Sequence, residues 1–420
     1  MATSFYKICG THVLSIRSVP RLVNSLLFLK LTFVYQLFIY SKYKYNASLT
    51  IILFHKMKNI FLHSLTLENY RNFKNLELKT DNTPIILIGE NGSGKTNILE
   101  AISLFYPGRG LRSAKLADIC KASEDQCLVK ALLQSKLGLA EFTTQFKRSS
   151  NRRITEYNES KIANNELSKF TSMVWLTPQM EGIFTSGSSD RRKFLDRIVY
   201  NFDSKHAELV SKYEYYMYER NKILAEDIRD DNWLKIIEEK MADMSSHIAN
   251  NRLKTLEFMQ QAIDELENEF PKADLSIDGI VEQKILDGKE NIVNFITAEL
   301  YQTRSKDKLL GRTSFGVHKS DFLVKHQKKN ILAKFCSTGE QKAILIAIIL
   351  AEMNYAIKLT KIAPILLLDE VFVHLDDKRR GYLIEFFTGL NMQLWVTATD
   401  LEGIENFANK AQLIKLPIIL

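Results

Sequence analysis

Cysteine is scarce in this chain of 420 residues, which contains only four. They stand at positions 9, 120, 127 and 336, and no two of them have C-x-x-C spacing. The sequence therefore implies neither a zinc site nor a disulfide framework, and it favours a reducing, cytosolic compartment. Internal repeats and low-complexity tracts are absent as well. A content of 45% hydrophobic and 25% charged residues excludes a disordered, collagen-like or multi-span membrane chain.

Acidic residues are missing from the first 57 positions, and Glu68 is the first one in the chain. Seven of the 57 cations lie in that segment, which leaves 50 cations against 49 acids in residues 58–420. The net charge of +8 therefore belongs almost entirely to the N-terminal segment. Because the remainder is nearly neutral, any nucleic-acid binding must come from local basic patches.

The N-terminal segment also contains a 19-residue stretch, 22–40, that is rich in Leu, Phe, Val and Tyr. Its length suits a signal anchor or a transmembrane helix, but Lys30 in its middle disfavours insertion by roughly 2.5–3.5 kcal/mol. An acid-free leader that contains serine is also similar to an organelle transit peptide. We expect instead that the natural protein starts at Met57 and that residues 1–56 are an extension outside the fold.

After Met57 the pattern predicts strands that lead into a phosphate-binding loop. Residues 61–68 and 75–79 alternate apolar and polar side chains, whereas residues 85–88 are wholly apolar and typical of a buried strand. The next eight residues match the P-loop pattern in full, and an apolar helix follows them, which we expect Pro107 and Gly108 to end. Glycines in such a loop let backbone N–H groups cradle phosphate, and the helix adds its positive dipole end. The predicted phosphate-binding residues are Gly89, Glu90, Asn91, Gly92, Ser93, Gly94, Lys95 and Thr96.

Four side chains are placed to carry the chemistry of nucleotide hydrolysis. Lys95 should reach the β- and γ-phosphates, and the Thr96 hydroxyl should ligate Mg²⁺. The apolar run 365–368 ends in Asp369 and Glu370, as a buried strand does at a metal site. Asp369 would hold the metal, and Glu370 would deprotonate the attacking water. The Asn-Lys-x-Asp guanine motif does not occur, which favours ATP over GTP. The kinase motifs Val-Ala-Ile-Lys and His-Arg-Asp are absent as well.

The middle of the chain is predicted to be helical. Apolar positions repeat at helical spacing from Leu209 to Ile223 and again from Trp233 to Leu266, which is typical of a helical arm or hairpin bundle. We interpret this Met and aromatic stripe as packing and not as a cofactor site. The sequence thus predicts an α/β fold with ATPase parts at 57–200 and 306–420, separated by a helical lobe at 201–305.

A third motif, Ser337-Thr-Gly-Glu-Gln-Lys342, precedes an apolar helix predicted at 343–351. Alone it has the form of a capping box. Its position one helix before the strand at 365–368 resembles the signature of ABC-type ATPases, where this helix end binds the γ-phosphate held by the other subunit. That resemblance implies nucleotide contacts for Ser337 and Gly339, a D-loop role for Asp376 and a Q-loop role for Gln179.

Further stretches make the resemblance more specific. They are Leu65-x-Leu-x-Asn-Tyr-Arg71-Asn-Phe73, Asn97-Ile-Leu-Glu-Ala101, Thr177-Pro178, Arg191-Arg-x-Phe-Leu-Asp196 and Gly316-x-His318-x-x-Asp321. Together they resemble the RecF family of bacterial recombination mediators, relatives of the SMC-type ATPases, over everything after Met57. The resemblance implies an ABC/SMC-type P-loop ATPase head with an inserted helical lobe. The chain departs from the family at Val317, Lys319 and Ser320, and it lacks the switch histidine of ABC transporters.

The resemblance also implies a function. Proteins of this family dimerise when they bind ATP with Mg²⁺, hold DNA in that state and hydrolyse ATP slowly. With RecO and RecR they help load RecA onto single-stranded gaps coated with single-strand-binding protein. Each copy would have an incomplete nucleotide site that pairing with a second copy completes, and ATP hydrolysis would let the two copies separate. Single-stranded, gapped and duplex DNA are the expected ligands, the cytoplasm is the expected compartment, and no stable membrane association is expected.

Basic clusters are the candidates for DNA contact, although such clusters mostly contact phosphate and carry no sequence information. The four candidate contacts are Arg109, Arg112, Arg191 and Arg192. For each of them a solvated charged face is the alternative interpretation. Arg191 and Arg192 belong to the family motif, so they serve either DNA or the support of the nucleotide site and the fold.

Three other classes of protein fit the sequence less well. An ABC transporter ATPase subunit is disfavoured by the long helical insert before the signature and by the missing switch histidine. An OLD-type nuclease needs a nuclease domain after the ATPase, and only 44 residues follow Asp376. A non-catalytic structural module would not need Lys95, Asp369 and Glu370 together.

Overall fold

The computed structural model describes residues 58–417, apart from 116–117, 151, 227–230, 268, 374 and 391. The predictions about the stretch 22–40 and about a start at Met57 lie outside the described residues. The strands are β1 Lys58–Asn59, β2 Phe61–Tyr70, β3 Phe73–Lys79, β4 Ile85–Ile88, β5 Gln126–Ser135, β6 Gly138–Lys147, β7 Arg152–Tyr157, β8 Ser160–Ile162, β9 Met173–Leu176, β10 Ala273–Asp278, β11 Asp321–His326, β12 Ile331–Leu332, β13 Ile362–Ala363, β14 Ile365–Leu368, β15 Leu394–Ala398 and β16 Gln412–Lys415. The α-helices are α1 Lys95–Ser103, α2 Ser188–Phe202, α3 His206–Ala225, α4 Asp231–Glu265, α5 Ile280–Leu286, α6 Ile292–Gln302, α7 Arg304–Leu310, α8 Thr338–Thr360, α9 Asp377–Gly389 and α10 Glu405–Ala408.

Two large sheets enclose the main core. One has five parallel strands in the order β16-β4-β15-β14-β9, and the other has six antiparallel strands in the order β3-β2-β5-β6-β7-β8. Buried side chains of both sheets form one cluster, among them Leu87, Leu367 and Trp395 of the parallel sheet and Leu65 and Phe142 of the antiparallel sheet. The wholly apolar runs predicted as buried strands are therefore confirmed as β4 and β14, with the predicted bounds.

The order of the parallel strands determines which loops meet. Strand β15 lies between β4 and β14, so the loop after β4 and the residues after β14 stand on either side of it. The carboxyl ends of parallel strands share one edge of a sheet, and ligands bind at that edge in open α/β folds. The fold thereby brings the P-loop and Asp369 together, although 273 positions separate Thr96 from Asp369 in the chain.

A second apolar cluster lies in the helical region. Tyr213 of α3 packs with Ile237, Met241 and Ile248 of α4, which confirms that the Met and aromatic stripe serves packing. Trp233, which was predicted to belong to that stripe, is 46% exposed in the first turn of α4.

Strand β10 stands in the region that was predicted to be helical. It pairs antiparallel with β11, and β12 completes a three-stranded sheet. Its sequence Ala-Asp-Leu-Ser-Ile-Asp alternates apolar and polar residues with the period of a strand, so the signal was present. Its pairing partner lies about 50 residues further along the chain, and that long-range contact decides the structure.

Two helices differ from their predicted bounds for local reasons. Helix α1 ends at Ser103 and not at Pro107, because the Ser103 hydroxyl donates to Glu100 O at 2.6 Å and accepts the Leu111 N–H at 2.7 Å. Helix α8 begins at Thr338, five residues earlier than predicted, because Ser337 caps it. Among the described residues, α8 is the one helix long and apolar enough to cross a membrane, and most of it is buried inside the protein.

Candidate nucleotide-binding site

The P-loop connects β4 to α1 and requires glycine at two positions. Gly92 has φ 84° and Gly94 has φ 104°, a region of backbone conformation that side chains disfavour. Gly94 also has close neighbours, because a Cβ there would lie 2.6 Å from the Phe73 ring and 2.8 Å from Asn72 Nδ2. The family motif that contains Asn72 and Phe73 therefore packs directly against the loop and shapes it.

The polar groups of the loop are only partly satisfied by protein. Lys95 is 4% exposed, and its ammonium donates to Gly89 O and, at 2.9 Å, to Glu90 O. The hydroxyl of Ser93 is buried and has no hydrogen-bond partner. An unpaired buried hydroxyl costs free energy unless a ligand completes it. The loop therefore has a buried cation and a buried hydroxyl that protein groups do not fully satisfy.

Asp369 is the centre of a group that we call the P-loop cluster: Thr96, Asp369, Glu370 and Thr397. The Asp369 carboxylate accepts hydrogen bonds from Thr96 Oγ1 at 3.0 Å and from Thr397 Oγ1 at 2.8 Å. The Thr397 hydroxyl in turn accepts the Glu370 N–H at 2.9 Å. Glu370 has φ 52°, an uncommon conformation for a residue with a side chain, and such residues concentrate at functional sites.

Thr397 is the member of this cluster to which the sequence assigned no role. It stands on β15, between the strands that carry the P-loop and Asp369, and its one hydroxyl contacts both acidic residues that follow β14. A threonine near the end of a buried strand is common, so the sequence alone carried little signal. The strand order supplies the reason for its position.

A cavity of about 100 Å³ lies over the loop. Its lining residues are Asn91, Gly92, Gly94, Lys95, Thr96, Asn97, Arg112 and Glu370. Arg112 donates to Asn97 Oδ1 at 2.8 Å, and Asn97 donates to Asn72 Oδ1 at 2.7 Å. The structure therefore places Arg112, which the sequence suggested as a DNA contact, beside the phosphate-binding loop.

Arg71 holds helix α1, which follows the P-loop, through Glu100. Its guanidinium makes two hydrogen bonds to the buried carboxylate of Glu100, at 2.8 and 2.6 Å, and a third to Asp118 O at 2.6 Å. Burial opposes the charge of Arg71, but the hydrogen bonds and charge of Glu100 outweigh it and raise the pKa of the guanidinium. This pair fixes α1 against the segment that leads to β5.

The predicted signature residues lie at the surface, and we call Ser337 to Gly339 the signature end. Ser337 caps α8: its hydroxyl accepts the Glu340 N–H at 3.4 Å, and the Glu340 carboxylate accepts the Ser337 N–H at 3.2 Å. A Cβ added at Gly339 would meet no atom within 4 Å. The capping box and the exposed end of α8 are thus both present.

Gln179 and Asp376 do not line the cavity in this chain. Gln179 is exposed in the 3₁₀ turn Pro178–Gly182, directly after β9. Asp376 is exposed too, and its carboxylate caps α9 by accepting the Arg379 N–H at 2.9 Å. The roles that the resemblance implies for these two residues remain predictions.

Lys342 contacts residues of two other predicted motifs, and the sequence analysis gave it no role of its own. Its side chain is buried on α8 and forms an ion pair with Glu181 of the 3₁₀ turn at 2.9 Å. Its ammonium also donates to Val373 O at 2.7 Å, in the segment between Glu370 and Asp376. One buried cation therefore links the 3₁₀ turn after β9, helix α8 and the chain that follows Asp369.

The remaining basic candidates have different environments. Arg191 forms a two-point ion pair with Asp321, 2.7 Å at each contact, and Arg192 donates to Ser320 O at 2.5 Å. Arg109 is exposed. The two family motifs at 191–196 and 316–321 thus bind each other, and these hydrogen bonds of Arg191 and Arg192 support the fold.

The residues present fit a nucleotide and a magnesium ion. Mg²⁺ prefers hard oxygen ligands and is usually held by one or two carboxylates together with phosphate oxygens and waters. Asp369 and Thr96 supply such oxygens next to the loop. No cluster of three or more His, Cys, Asp or Glu that could hold a metal occurs within the described part of the chain, so protein alone does not form a complete cage there.

The parallel sheet, the P-loop, the acidic strand end and the capped signature helix define an ABC/SMC-type P-loop ATPase head. A family model described as "RecF/RecN/SMC N terminal domain" matches residues 61–416. Within that class the chain belongs to the RecF family, as the resemblance of its motifs predicted.

The similarity to curated relatives is high. The DNA replication and repair protein RecF of Rickettsia rickettsii (strain Sheila Smith) is 95% identical over 360 residues, which are 86% of this chain and 100% of that protein. The protein of the same name from Rickettsia canadensis (strain McKiel) is 89% identical over the same shares of both chains. A solved structure of the recombination mediator protein RecF-ATP in the RecFOR pathway matches with a TM-score of 0.75 and 24% identity, covering 85% of this chain and 97% of that one. That likeness supports the fold.

Proposed function

We propose that this protein is an ATP-dependent DNA clamp of recombinational repair. It binds ATP with Mg²⁺, pairs with a second copy, holds single-stranded, gapped or duplex DNA in the paired state, and hydrolyses ATP slowly. In the cytoplasm it acts with RecO and RecR to help load RecA at single-strand gaps. The names of the curated relatives and the description of the solved relative, a recombination mediator with ATP, support this proposal.

The observation that carries the proposal is a contrast between two halves of the site. The wired half, which is the P-loop with the P-loop cluster, is joined by side-chain hydrogen bonds within one chain. The open half is the signature end, an exposed helix N-terminus where a Cβ added at Gly339 meets no neighbouring atom. A second copy of the chain would supply the missing contact, with the phosphate of one copy against the signature end of the other.

Each residue of the wired half has a definite task in this proposal. The backbone N–H groups of 89–94 and the Lys95 ammonium bind the triphosphate, which Lys95 reaches by leaving Gly89 O and Glu90 O. Thr96 and Asp369 hold the magnesium ion, which neutralises phosphate charge when bound. Glu370 accepts a proton from the attacking water, and Thr397 orients Asp369 and the backbone of Glu370.

The open half has fewer direct contacts and depends on pairing. Ser337 and Gly339 bind the γ-phosphate of the partner copy. Gln179 senses γ-phosphate and metal as a Q-loop glutamine, and Asp376 serves as the D-loop acid. Among the DNA candidates, Arg109 is exposed and suited to phosphate contact, whereas Arg112 belongs to the nucleotide cavity and Arg191 and Arg192 support the fold. Contacts of this kind carry affinity without sequence preference.

The test is whether ATP controls both pairing and DNA binding. Sedimentation of the purified protein should show a dimer with ATP and Mg²⁺ and a monomer without nucleotide. Binding to a gapped duplex, measured over a range of salt concentrations, should strengthen in the presence of ATP. Lys95→Met should lose both responses while keeping its fold. If ATP changes neither the oligomeric state nor DNA affinity, the proposal is wrong.

A further inference from the structure

One pair of nucleophilic side chains plays no part in the nucleotide chemistry. The Sγ atoms of Cys120 and Cys127 lie 2.6 Å apart, and each residue is 4% exposed. A covalent S–S bond is about 2.05 Å long, so little movement separates these two thiols from a bond. We call Cys120 and Cys127 the thiol pair. Their spacing in the sequence implied no disulfide, and the antiparallel sheet is what brings them together.

The backbone on both sides of the thiol pair is held by strands. Cys120 forms an isolated bridge with Tyr70 at the end of β2, and Cys127 pairs with Phe146 in the β5–β6 ladder. Both thiols belong to the main core of the protein. Because each cysteine is fixed by its own strand contact, the short distance between the sulfurs is a property of the fold and not of a mobile loop.

The surroundings favour the thiolate at one of the two sulfurs. The hydrogen bond between the two thiols lowers the pKa of Cys120, burial opposes this, and the nearby Arg148 guanidinium lowers the pKa further. Arg148 is held in place by hydrogen bonds to Cys120 O at 2.9 Å and to Ala122 O at 2.8 Å. The thiolate is the reactive form of cysteine. Cys120 is therefore the nucleophile of the pair and Cys127 the resolving thiol.

Cys336 provides an internal contrast. Burial and the charge of Glu340 raise the pKa of its thiol, and its sulfur contacts Leu332 O at 4.0 Å. Within the described part of the chain, an oxidant can therefore react with a pair whose Cys120 pKa is lowered or with Cys336, whose pKa is raised. The order in which these thiols are oxidised can be measured without nucleotide or DNA.

We propose that Cys120 and Cys127 form a reversible disulfide when the protein meets a peroxide. The Cys120 thiolate attacks one peroxide oxygen, the O–O bond breaks, and the departing hydroxide takes a proton to become water, which leaves a sulfenic acid on Cys120. The Cys127 sulfur then attacks the Cys120 sulfur, the S–O bond breaks, and a second water leaves. Two thiols and one hydrogen peroxide thus give one disulfide and two waters, and a dithiol reductant reverses the change.

The disulfide would lie behind the P-loop helix. The Arg71 N–H donates to Ile119 O at 3.0 Å, and its guanidinium donates to Asp118 O at 2.6 Å while also holding Glu100 of α1. Linking Cys120 to Cys127 fixes the segment that supplies those two carbonyls. We expect the oxidised protein to keep its nucleotide site and to unfold at a temperature a few degrees higher, since a native cross-link restricts the unfolded chain.

Differential alkylation of the full chain tests the proposal. The protein is treated with an equimolar to tenfold amount of hydrogen peroxide, blocked with N-ethylmaleimide, digested with trypsin and analysed by mass spectrometry. Cleavage after Lys115, Lys121 and Lys130 separates the two cysteines into different peptides, so a linked pair is unambiguous. The expected product is that linked pair, lost again after dithiothreitol, with Cys336 still alkylated.

Variants separate the two steps. Cys127→Ser removes the resolving thiol, so a sulfenic acid on Cys120 should accumulate and be trapped by dimedone. Cys120→Ser should leave Cys127 fully alkylated after the same treatment, and Cys336→Ser should form the disulfide as the parent does. The proposal is overturned if both thiols of the parent stay alkylated, if Cys336 oxidises first, or if the link forms between two chains. The parent alone decides these outcomes should a variant fail to fold.

Discussion

The two halves of the candidate site differ in how much of their hydrogen bonding is already made. In the P-loop cluster, Asp369 accepts from Thr96 and Thr397, and Thr397 also accepts the Glu370 N–H. At the signature end, the bonds of Ser337 are those of a helix cap, and Gly339 is exposed with open space around it. The chain itself preorganises the wired half, whereas the open half offers its groups to a second surface.

This difference indicates where control of the reaction lies. Because one chain already brings the groups of the wired half together, its nucleotide affinity depends on one copy of the chain. An exposed helix end contributes only when another surface meets it. In the proposed function, hydrolysis therefore requires pairing, because the groups at the signature end act on the nucleotide of the other copy. Substitutions in one half at a time should separate nucleotide binding from turnover.

The largest effect is expected from Glu370→Gln. The amide accepts no proton from water, so turnover should fall by about 10²–10⁴. Nucleotide affinity should remain, because Lys95, Thr96 and Asp369 are unchanged. Single-turnover hydrolysis and nucleotide titration measure the two quantities separately. Glu385→Gln, an exposed carboxylate on α9, is the matched control and should behave like the parent. Undiminished turnover in Glu370→Gln would mean that another group is the base.

The next effect concerns the open half alone. Ser337→Arg adds bulk where the monomer has room, so nucleotide binding by one copy should stay within about twofold of the parent. Pairing with ATP should be lost, and turnover should fall about 10²-fold as a result. Ser337→Ala is the control, since it removes the helix cap at a cost of about 0.5–2 kcal/mol without adding bulk. Full turnover in Ser337→Arg would contradict the assignment of the signature end.

A mixture of two inactive variants sharpens the same point. Lys95→Met has an intact signature end, and Ser337→Arg has an intact P-loop cluster. Each mixed dimer then has one intact site, formed by the P-loop cluster of the Ser337→Arg chain and the signature end of the Lys95→Met chain. We expect the mixture to regain part of the parent's turnover, up to about one quarter for random pairing, while each variant alone stays inactive. A mixture that stays as inactive as its components would mean that each chain acts by itself.

Local patterns in the sequence predicted β4 and β14, the strands that lead to the P-loop and to Asp369, to the residue. The runs at 85–88 and 365–368 are short and wholly apolar, and each follows a proline and ends at a glycine or an acidic residue, so β4 and β14 have the predicted limits. Glycine spacing located the loop, because few backbones other than a P-loop need that spacing. Each of these signals is contained in a short stretch of sequence and does not depend on the rest of the fold.

Contacts between distant segments were beyond the reach of such patterns. Thr397 meets Asp369 because β15 inserts between β4 and β14, and Lys342 meets Glu181 because α8 packs beside the turn after β9. The side chains themselves are ordinary. Arg112 was assigned to DNA because clustered charge is all that the sequence displays, while its place beside the P-loop depends on where the chain turns after α1.

A smaller effect tests whether the two halves communicate within one chain. Lys342→Met keeps the length of the side chain but removes the contacts to Glu181 and Val373 O. Because this cation connects the 3₁₀ turn Pro178–Gly182 to α8, ATP-dependent pairing and turnover should weaken about 3–10-fold, or about 1 kcal/mol. Nucleotide affinity of the unpaired chain should be unchanged, and sedimentation, turnover and nucleotide titration measure the three quantities.

The control for this variant lies on the same helix. Lys358→Met removes an exposed ion pair with Glu265 near the other end of α8, and such surface pairs contribute little. It should therefore pair and hydrolyse like the parent. If Lys342→Met lowers nucleotide affinity and pairing by equal factors, Lys342 only stabilises the fold and does not link the two halves.

The last effect is on stability and not on turnover, and it concerns how the segment before the signature end is attached to the helical region. His318 accepts the Tyr213 hydroxyl on Nδ1 at 2.7 Å and donates to Thr313 O through Nε2 at 3.0 Å, which satisfies the neutral ring on both sides. Burial lowers the pKa of His318 to about 4, with a smaller contribution from nearby cations and against the opposing effect of the Thr313 carbonyl. The unfolded chain, with a histidine pKa of about 6.5, therefore takes up this proton first as pH falls. Stability from the neutral ring is complete above about pH 6.5 and is lost progressively towards pH 4.

Denaturant unfolding at pH 7 and pH 5 measures this contribution. The parent should lose about 1–2 kcal/mol more than His318→Gln does between the two values, because glutamine keeps a donor and an acceptor but does not titrate in this range. Burial would raise the pKa of Asp196, but Arg252 and His206 hold it well below its usual range, so this carboxylate stays charged at both pH values in both proteins. The difference between the two chains therefore isolates His318. Equal losses in the parent and the variant would show that the ring titrates in the folded protein as it does in the unfolded chain, and that burial does not hold it neutral.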